Sequence, residues 1–398
     1  MALEFKKVNI FEKWVGEAQN WNSWAWQVRN SLKKKQDFQE HIKLSDEEEI
    51  AFEGVNDLFR VQTTPYYLSL IDKNDPEDPI RKMFLPHTKE QSAKYQEMLD
   101  PLAEKKNSPV ARIIHRYPDR CLFLATDFCS VYCRYCTRKH FTGKEKVFPS
   151  SSEYEEALAY IKSHSGIREV ILSGGDPLSL SNKRLSKILS DLRSIPSVEI
   201  IRIGSRMPVV CPMRIDQELL DLLKINKPVY LMTHFNHPRE LSLEAANALE
   251  NLVDNGVPVF NQMVLLNGIN NHPAIVQALS RRLLYLRVKP YYMFQCDPSE
   301  GTDHLRTSIQ QSQEIQNELW GNVSGLMMPN YSIDLPGGGG KTSLGPNHLI
   351  KEEGSKHFFK GFDGIESQYI SPNEAELTLP SDLENYSAEW EKLRNSKA

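Results

Sequence analysis

The sequence has no run of about 18 apolar residues, the length a helix needs to span a bilayer, so no membrane partner is expected. It also lacks a dominant charge sign. Lys and Arg number 48 against 52 Asp and Glu, a formal net charge of -4, which leaves no global field suited to gripping nucleic acid. The stretch Met1 to Val15 sets Lys6, Lys7, Glu12 and Lys13 among its apolar residues and holds no apolar segment of signal-peptide length, so a cytoplasmic location is expected. Cysteine is scarce, with 6 in 398 residues, too few for a disulfide framework in a cytosolic chain of this size. No internal repeat or long low-complexity tract is visible. What remains is ordinary globular composition, 40% hydrophobic and 25% charged, with length enough for one large α/β core and smaller additions at each end.

From Phe5 to about Lys106 the pattern reads as helices joined by polar connections. Trp14, Trp21, Trp24 and Trp26 read as packing surface, and the acidic patch Asp46 to Glu49 as a solvated helix start. From Arg120 short apolar runs alternate with amphipathic segments. The runs are Cys121–Ala125, Glu169–Leu172, Val198–Ile203, Pro228–Met232, Val257–Leu266 and Val288–Phe294, whose length and β-branched content suit strands covered on both faces. Tyr154–His164, the stripe Leu185, Ile188, Leu189 and Leu192, Gln217–Ile225, Ala245–Val253 and Ala274–Leu286 read as helices between them. Six strand-then-helix units predict a parallel sheet with right-handed crossovers. They are too few for a closed eight-stranded barrel and fit a six-unit (β/α)6 partial barrel, while the pattern also fits a doubly wound open sheet. Three regions are expected: an N-terminal helical region over 1–115, the partial barrel over 116–330, and a C-terminal part over 331–398 that ends in a polar, helical-looking tail from about Asn373.

Functional residues of parallel sheets gather in loops at the carboxyl ends of the strands. Five loops obey that rule here: Cys129–Cys136, Ser173-Gly174-Gly175-Asp176, Gly204-Ser205-Arg206, Thr233-His234-Phe235-Asn236-His237 and Gln295-Cys296-Asp297. In the first, Cys129, Cys133 and Cys136 have the spacing C-x-x-x-C-x-x-C, which lets one loop hold three corners of an iron-sulfur cubane. A fourth iron left without a protein ligand can chelate the amino and carboxylate groups of S-adenosylmethionine, whereas four-cysteine clusters are closed and only transfer electrons. Zinc completed by Cys121 or a histidine is the competing reading, and the absence of a second Cys-x-x-Cys weighs against it. Gly174 and Gly175 read as a place where backbone approaches a ligand, although Gly-Gly-Asp alone is also an ordinary turn. Pro336-Gly337-Gly338-Gly339-Gly340-Lys341 puts an amine beside four glycines that are costly in chain entropy, a setting for Schiff-base chemistry with pyridoxal phosphate. A flexible linker is the bland alternative, and a phosphate-binding P-loop is not matched in spacing.

These features together resemble the lysine 2,3-aminomutase family, over roughly residues 20 to 370. The resemblance rests on His115-Arg116-Tyr117-Pro118-Asp119-Arg120, on Cys129 through Arg138, on Leu172 through Asp176, on Arg202-Ile203-Gly204-Ser205-Arg206, on Thr233 through Pro238, and on Pro336 through Lys341. It implies a [4Fe-4S] cluster on Cys129, Cys133 and Cys136, with pyridoxal 5'-phosphate on Lys341 and Arg116 and Arg120 near its phosphate. It also implies S-adenosyl-L-methionine held near Tyr135, Gly174, Gly175, Asp176, Ser205 and Gln262. Arg138 is implied for the substrate α-carboxylate, and Asp297 and Asp334 for the far ammonium of lysine. The implied reaction moves the amino group of lysine from carbon 2 to carbon 3, with arginine, glutamate or a protein lysyl residue as alternative substrates. A homodimer formed through the C-terminal segment and an electron donor such as flavodoxin or ferredoxin complete the expectation. Zinc is not expected, because His272 stands where the family can place a zinc-binding cysteine and no cysteine follows Cys296.

Overall fold

A computed structural model describes residues 3–54, 59–143, 147–372 and 378–395. Its centre is a nine-stranded sheet: β1 (Ile113–Tyr117), β2 (Arg120–Thr126), β3 (Glu169–Gly174), β4 (Ile200–Gly204), β5 (Val229–Thr233), β6 (Val259–Leu265), β7 (Lys289–Gln295), β8 (Asn330–Leu335) and β9 (Gly340–Ser343). Spatial order equals chain order throughout. Strands β2 to β8 are parallel neighbours, and β1 and β9 close the two ends as antiparallel partners of β2 and β8. A doubly wound sheet reverses its strand order at a switch point. This one never does, so successive right-handed crossovers keep the helices on one face and the sheet curls into a partial barrel.

The six expected strand runs and the helices between them are present, each helix with an identifiable start. Ser150 and Glu153 form a reciprocal capping box for helix Ser151–Ser163. Ser181, Asp216 and Ser242 cap helices Asn182–Arg193, Gln217–Ile225 and Leu243–Asp254. On the second of these four helices Leu185, Ile188, Leu189 and Leu192 are fully buried, the stripe its spacing predicts.

Three features depart from the sequence reading. The strands are not covered on both faces: in β3 and β4, Val170, Leu172, Ile201 and Ile203 are buried under helices, while Ile171, Ser173, Arg202 and Gly204 alternate with them and face a cavity. The segment Tyr331 to Leu335, not among the six expected strand runs, is within a seventh parallel strand. Beyond it lies an unforeseen antiparallel sheet of β10 (Leu349–Glu353), β11 (Lys356–Lys360) and β12 (Glu366–Ile370). Of the expected helical tail, residues 373–377 lie outside the described residues and helix Glu384–Asn395 lies within them.

The N-terminal region braces the mouth of the barrel. Trp14 and Trp21 are buried against one another, as a packing surface requires. The acidic patch does start a helix, Asp46–Gly54, but Glu48 is buried and paired with Arg81 at 2.5 Å, so one of its four acids is not solvated. Gln62 Nε2 donates to the Cys129 carbonyl at 2.8 Å, and Gln62 accepts from Tyr132 N at 3.1 Å. Buried Arg134, inside the cysteine loop, pairs with buried Glu90. The loop is thus held by residues 40 to 70 positions upstream.

Candidate active site

A cavity of about 650 Å³ opens along the inner face of the curled sheet, and every candidate residue named from the sequence lines it. The three thiols of the loop, Cys129, Cys133 and Cys136, are free and partly exposed, while Cys121, Cys211 and Cys296 are free and buried. Burial pushes the Cys129 and Cys136 thiols up, well above the ordinary range for Cys129. Such thiols keep their protons unless a cation shares the site, and bound iron is a cation that removes them. Among the described residues no three His, Cys, Asp or Glu side chains converge on a single ion. A cluster does not ask for that convergence, because each thiolate binds a different iron.

Packing inside the protein also calls for glycine at Gly174 and Gly175. A Cβ on Gly174, which has φ +108, would lie 2.4 Å from the Thr126 carbonyl oxygen, and one on Gly175 would lie 2.3 Å from that of Phe128. Backbone of the segment leading into the cysteine loop fills this space, and Gly175 N and Asp176 N donate to the same two carbonyls at 2.6 and 2.8 Å. The Asp176 carboxylate in turn accepts from Ser205 Oγ at 2.7 Å, Arg206 N at 2.7 Å and Leu178 N at 3.0 Å. Asp176 and Ser205 therefore lock the β3 and β4 loops to each other beside the cysteines. The Tyr135 hydroxyl accepts from Asn236 Nδ2 at 2.6 Å, which fixes its ring at the same end.

At the other end, the β8–β9 hairpin brings the glycine-lysine segment back into the cavity. Its tight turn uses left-handed backbone at Gly337, Gly338 and Gly340, and a Cβ on Gly340 would meet Arg116 Nη2 at 3.1 Å. Arg116 donates to the Gly338 carbonyl, and Lys341 N donates to the Tyr117 hydroxyl at 3.3 Å. Arg120 pairs with Asp119 at 2.7 Å and lies 4.0 Å over the Tyr117 ring. Hairpin register sets Asp334 directly opposite Lys341, so Lys341 Nζ meets Asp334 Oδ2 at 2.6 Å and lies 4.6 Å from the centre of the Phe294 ring. Asp297 sits nearby with Oδ1 buried and without a partner among the described residues, and burial together with the Asp334 charge pushes its carboxyl up to about 7.

Sequence reading missed Glu104. One edge of the Arg138 guanidinium is engaged by both Glu104 carboxylate oxygens, Nε donating to Oε1 and Oε2 at 2.9 and 3.0 Å and Nη2 to Oε1 at 2.7 Å, while Nη1 donates to Ser173 Oγ at 2.8 Å. Arg138 is therefore not a free cation awaiting a carboxylate. Glu104 belongs to a stretch with no motif and no periodicity, and only its charge could have drawn attention. Gln262, on β6, lines the cavity between the two ends.

The donor set fits the groups that the sequence implied: three free thiols on one loop, an amine at a glycine turn that Arg116 contacts, Arg120 lining the same cavity, and a carboxyl oxygen there that has no partner among the described residues. A radical SAM superfamily model matches residues 123–277, and a lysine-2,3-aminomutase model matches residues 316–397. The L-lysine 2,3-aminomutase of Clostridium subterminale is 44% identical over 353 residues, 89% of this chain and 85% of that one. That of Acetoanaerobium sticklandii is 44% identical over 355 residues, 89% of this chain and 86% of that one. The glutamate 2,3-aminomutase of Clostridioides difficile is 40% identical over 347 residues, 87% of this chain and 82% of that one. With a superfamily match on the curled sheet, a second match on the C-terminal part and this identity along nearly the whole length, the chain belongs to the lysine 2,3-aminomutase family of radical S-adenosylmethionine enzymes.

Proposed function

We propose that the protein interconverts L-lysine and β-lysine by moving the amino group between carbons 2 and 3. When bound, the [4Fe-4S] cluster and S-adenosylmethionine supply an organic radical, and pyridoxal phosphate supplies a π-system that spreads the unpaired electron. The chain's own residues bind and orient. Cys129, Cys133 and Cys136 hold the cluster. Tyr135, Gly174, Gly175, Asp176, Ser205 and Gln262 shape the pocket for S-adenosylmethionine, the glycines and Asp176 by fixing the loops and Tyr135 by presenting its ring. Lys341 holds pyridoxal phosphate, with Arg116 and Arg120 near the phosphate.

The observation that carries lysine as substrate is the pair of carboxylates at one end of the cavity. Asp297 and Asp334 lie close enough for the charge of one to raise the other, an arrangement that a cation with several donors relieves. Lys341 Nζ fills that role now; the ε-ammonium of lysine fills it once Lys341 is engaged with pyridoxal phosphate. Arg138 takes the α-carboxylate by exchanging it for Glu104, since a bidentate site accepts either carboxylate. Glutamate brings a third anion to Asp297 and Asp334 and is rejected on charge. Arginine competes on charge and is distinguished by length.

A flavodoxin or ferredoxin as electron donor, a cytoplasmic location and a homodimer go with this reading. Among the described residues no helix is long and apolar enough to cross a membrane. Ile350, Phe362, Ile365, Tyr369 and Ile370 of the C-terminal part are exposed, which supports association through that segment. The test is anaerobic reconstitution with iron, sulfide and pyridoxal phosphate, then incubation with S-adenosylmethionine, a reductant and lysine, arginine or glutamate in parallel. β-Lysine from lysine alone is expected, and absence of both β-lysine and 5′-deoxyadenosine rejects the proposal.

A further inference from the structure

One N–H of a fully engaged arginine is directed at a cysteine sulfur. Arg206 follows β4 and is 8% exposed. Its Nη1 donates to Cys133 Sγ at 2.9 Å, its Nη2 donates to Glu240 Oε1 and to the Tyr67 hydroxyl, both at 2.6 Å, and its Nε reaches the His234 carbonyl at 3.3 Å. Glu240 is fully buried and equally committed: Tyr67 Oη donates to Oε1 at 2.6 Å, and the backbone N–H groups of Asn236 and His237 donate to Oε2 at 2.6 and 2.9 Å. The rings of Tyr67 and Tyr135 flank the guanidinium, at 5.1 and 5.7 Å. Rotation of Arg206 away from the sulfur would break several of these contacts at once. Cys136 by contrast receives a backbone N–H, that of Arg138, at 3.3 Å.

We propose that Arg206, held in place by Glu240, raises the reduction potential of the cluster by donating a charged hydrogen bond to the thiolate of Cys133. The inference rests on the cluster reading above and concerns what tunes that cluster. An electron entering the cluster adds negative charge to its sulfurs, so a cationic donor at one sulfur stabilises the reduced form more than the oxidised form. Glu240 does not cancel this, because it meets the other arm of the guanidinium and its charge is farther from Cys133 than the donating N–H is. A purely structural ion pair needs only oxygen acceptors. Spending an N–H on a thiol, a weak acceptor until it becomes a thiolate, is explained by the tuning role.

The full chain is reconstituted anaerobically with iron and sulfide, kept free of S-adenosylmethionine, and titrated electrochemically with EPR detection of the reduced cluster. In Arg206→Gln, and in Arg206→Gln combined with Glu240→Gln so that no buried charge is left unpaired, the ratio of reduced to oxidised cluster at a fixed solution potential is expected to fall about tenfold, which is 59 mV for a one-electron couple. Arg206→Lys, which keeps the charge without the fork, is expected to recover part of the loss. An unchanged potential in any Arg206→Gln variant that assembles its cluster overturns the proposal. A measurement on the unaltered protein stands beside these: labelling arginine with 15N at the two Nη positions should give a nitrogen hyperfine coupling to the reduced cluster, and its absence also overturns the proposal. If the unaltered chain assembles no [4Fe-4S] cluster, the functional reading fails instead.

Discussion

The two ends of the cavity are built on opposite principles. At the cysteine end nearly every polar group already has its partner: Asp176 is held by Ser205 and Arg206, Tyr135 by Asn236, Arg206 by Glu240 and Tyr67. Such a network specifies one geometry. At the lysine end Asp297 keeps a buried oxygen without a partner among the described residues, and the Lys341–Asp334 pair joins an amine side chain 37% exposed to a carboxylate 11% exposed. Unsatisfied buried groups are costly in an empty site and become binding free energy when a ligand satisfies them. The first end therefore reads as a fixed mount for a permanent cofactor. The second reads as a place where cations and carboxylates change partners during turnover.

Removing one anchor from each end has the largest expected effect. Cys133→Ala is expected to abolish cluster assembly and turnover while leaving pyridoxal phosphate on Lys341, and Lys341→Ala to do the reverse, because thiolate ligation and Schiff-base formation are independent chemistries. Iron content and the visible absorption of the bound pyridoxal, measured on the same folded samples, check both. Loss of both groups from either folded variant would show that the two ends are one cooperative site. Less severe are Asp297→Ala and Asp334→Ala. Each is expected to lower kcat/KM for lysine by about 2–5 kcal/mol in transition-state terms, the range for stripping a partner from a buried charge. Unaltered lysine turnover in both variants would remove them from the substrate site.

Rigidity of the cysteine end can be probed without touching a ligand. A methyl group on Gly175 would fall 2.3 Å from the Phe128 carbonyl oxygen, so Gly175→Ala must push the β3 loop off the cysteine loop. Overpacking of this kind costs about 1–3 kcal/mol, and a lower unfolding midpoint with reduced cluster occupancy is the expected outcome. Gly337→Ala, at the lysine end, has nothing within 4 Å of the added methyl but a left-handed φ of +71. It should change stability through backbone strain alone, about 1–2 kcal/mol, and leave cluster occupancy untouched.

What was legible from sequence divides along the same line. The strand-helix units were readable because amphipathic spacing and N-caps are local, and Cys129, Cys133 and Cys136 because ligand spacing is local too. The hairpin of β8 and β9 was not, since its pairing of Asp334 with Lys341 across four glycines depends on register. The sheet of β10 to β12 is almost wholly exposed and carries little hydrophobic alternation to announce it. Glu104 meets Arg138 across 34 residues and belongs to no motif. The role of Gly174 and Gly175 was legible as a need for glycine but not as to what occupies the space, because the occupant is backbone from the end of β2 and the segment after it, about 47 residues away in sequence.

The smallest expected effect is that of pH on the lysine end. Asp297 has its carboxyl raised to about 7, first by burial and then by the Asp334 charge. A raised acid holds a proton in the folded chain that the unfolded chain has already lost, so its contribution to stability declines as pH climbs from about 4 to about 7 and then levels. Lysine binding has the opposite sign. Its ammonium pairs with the ionised form of Asp297, so below pH 7 binding must first expel a proton, and affinity for lysine should weaken toward a limit of about tenfold per pH unit, or 1.4 kcal/mol. KM for lysine is thus expected to rise as pH falls from 8 to 6, while the potential of the cluster, at the end where Arg206 carries the charge at every relevant pH, stays level. Asp297→Asn, which has no proton to expel, should flatten the KM profile between those limits. A profile that keeps its wild-type slope in Asp297→Asn would assign the titration to some other group and leave Asp297 without the exchangeable role argued for it.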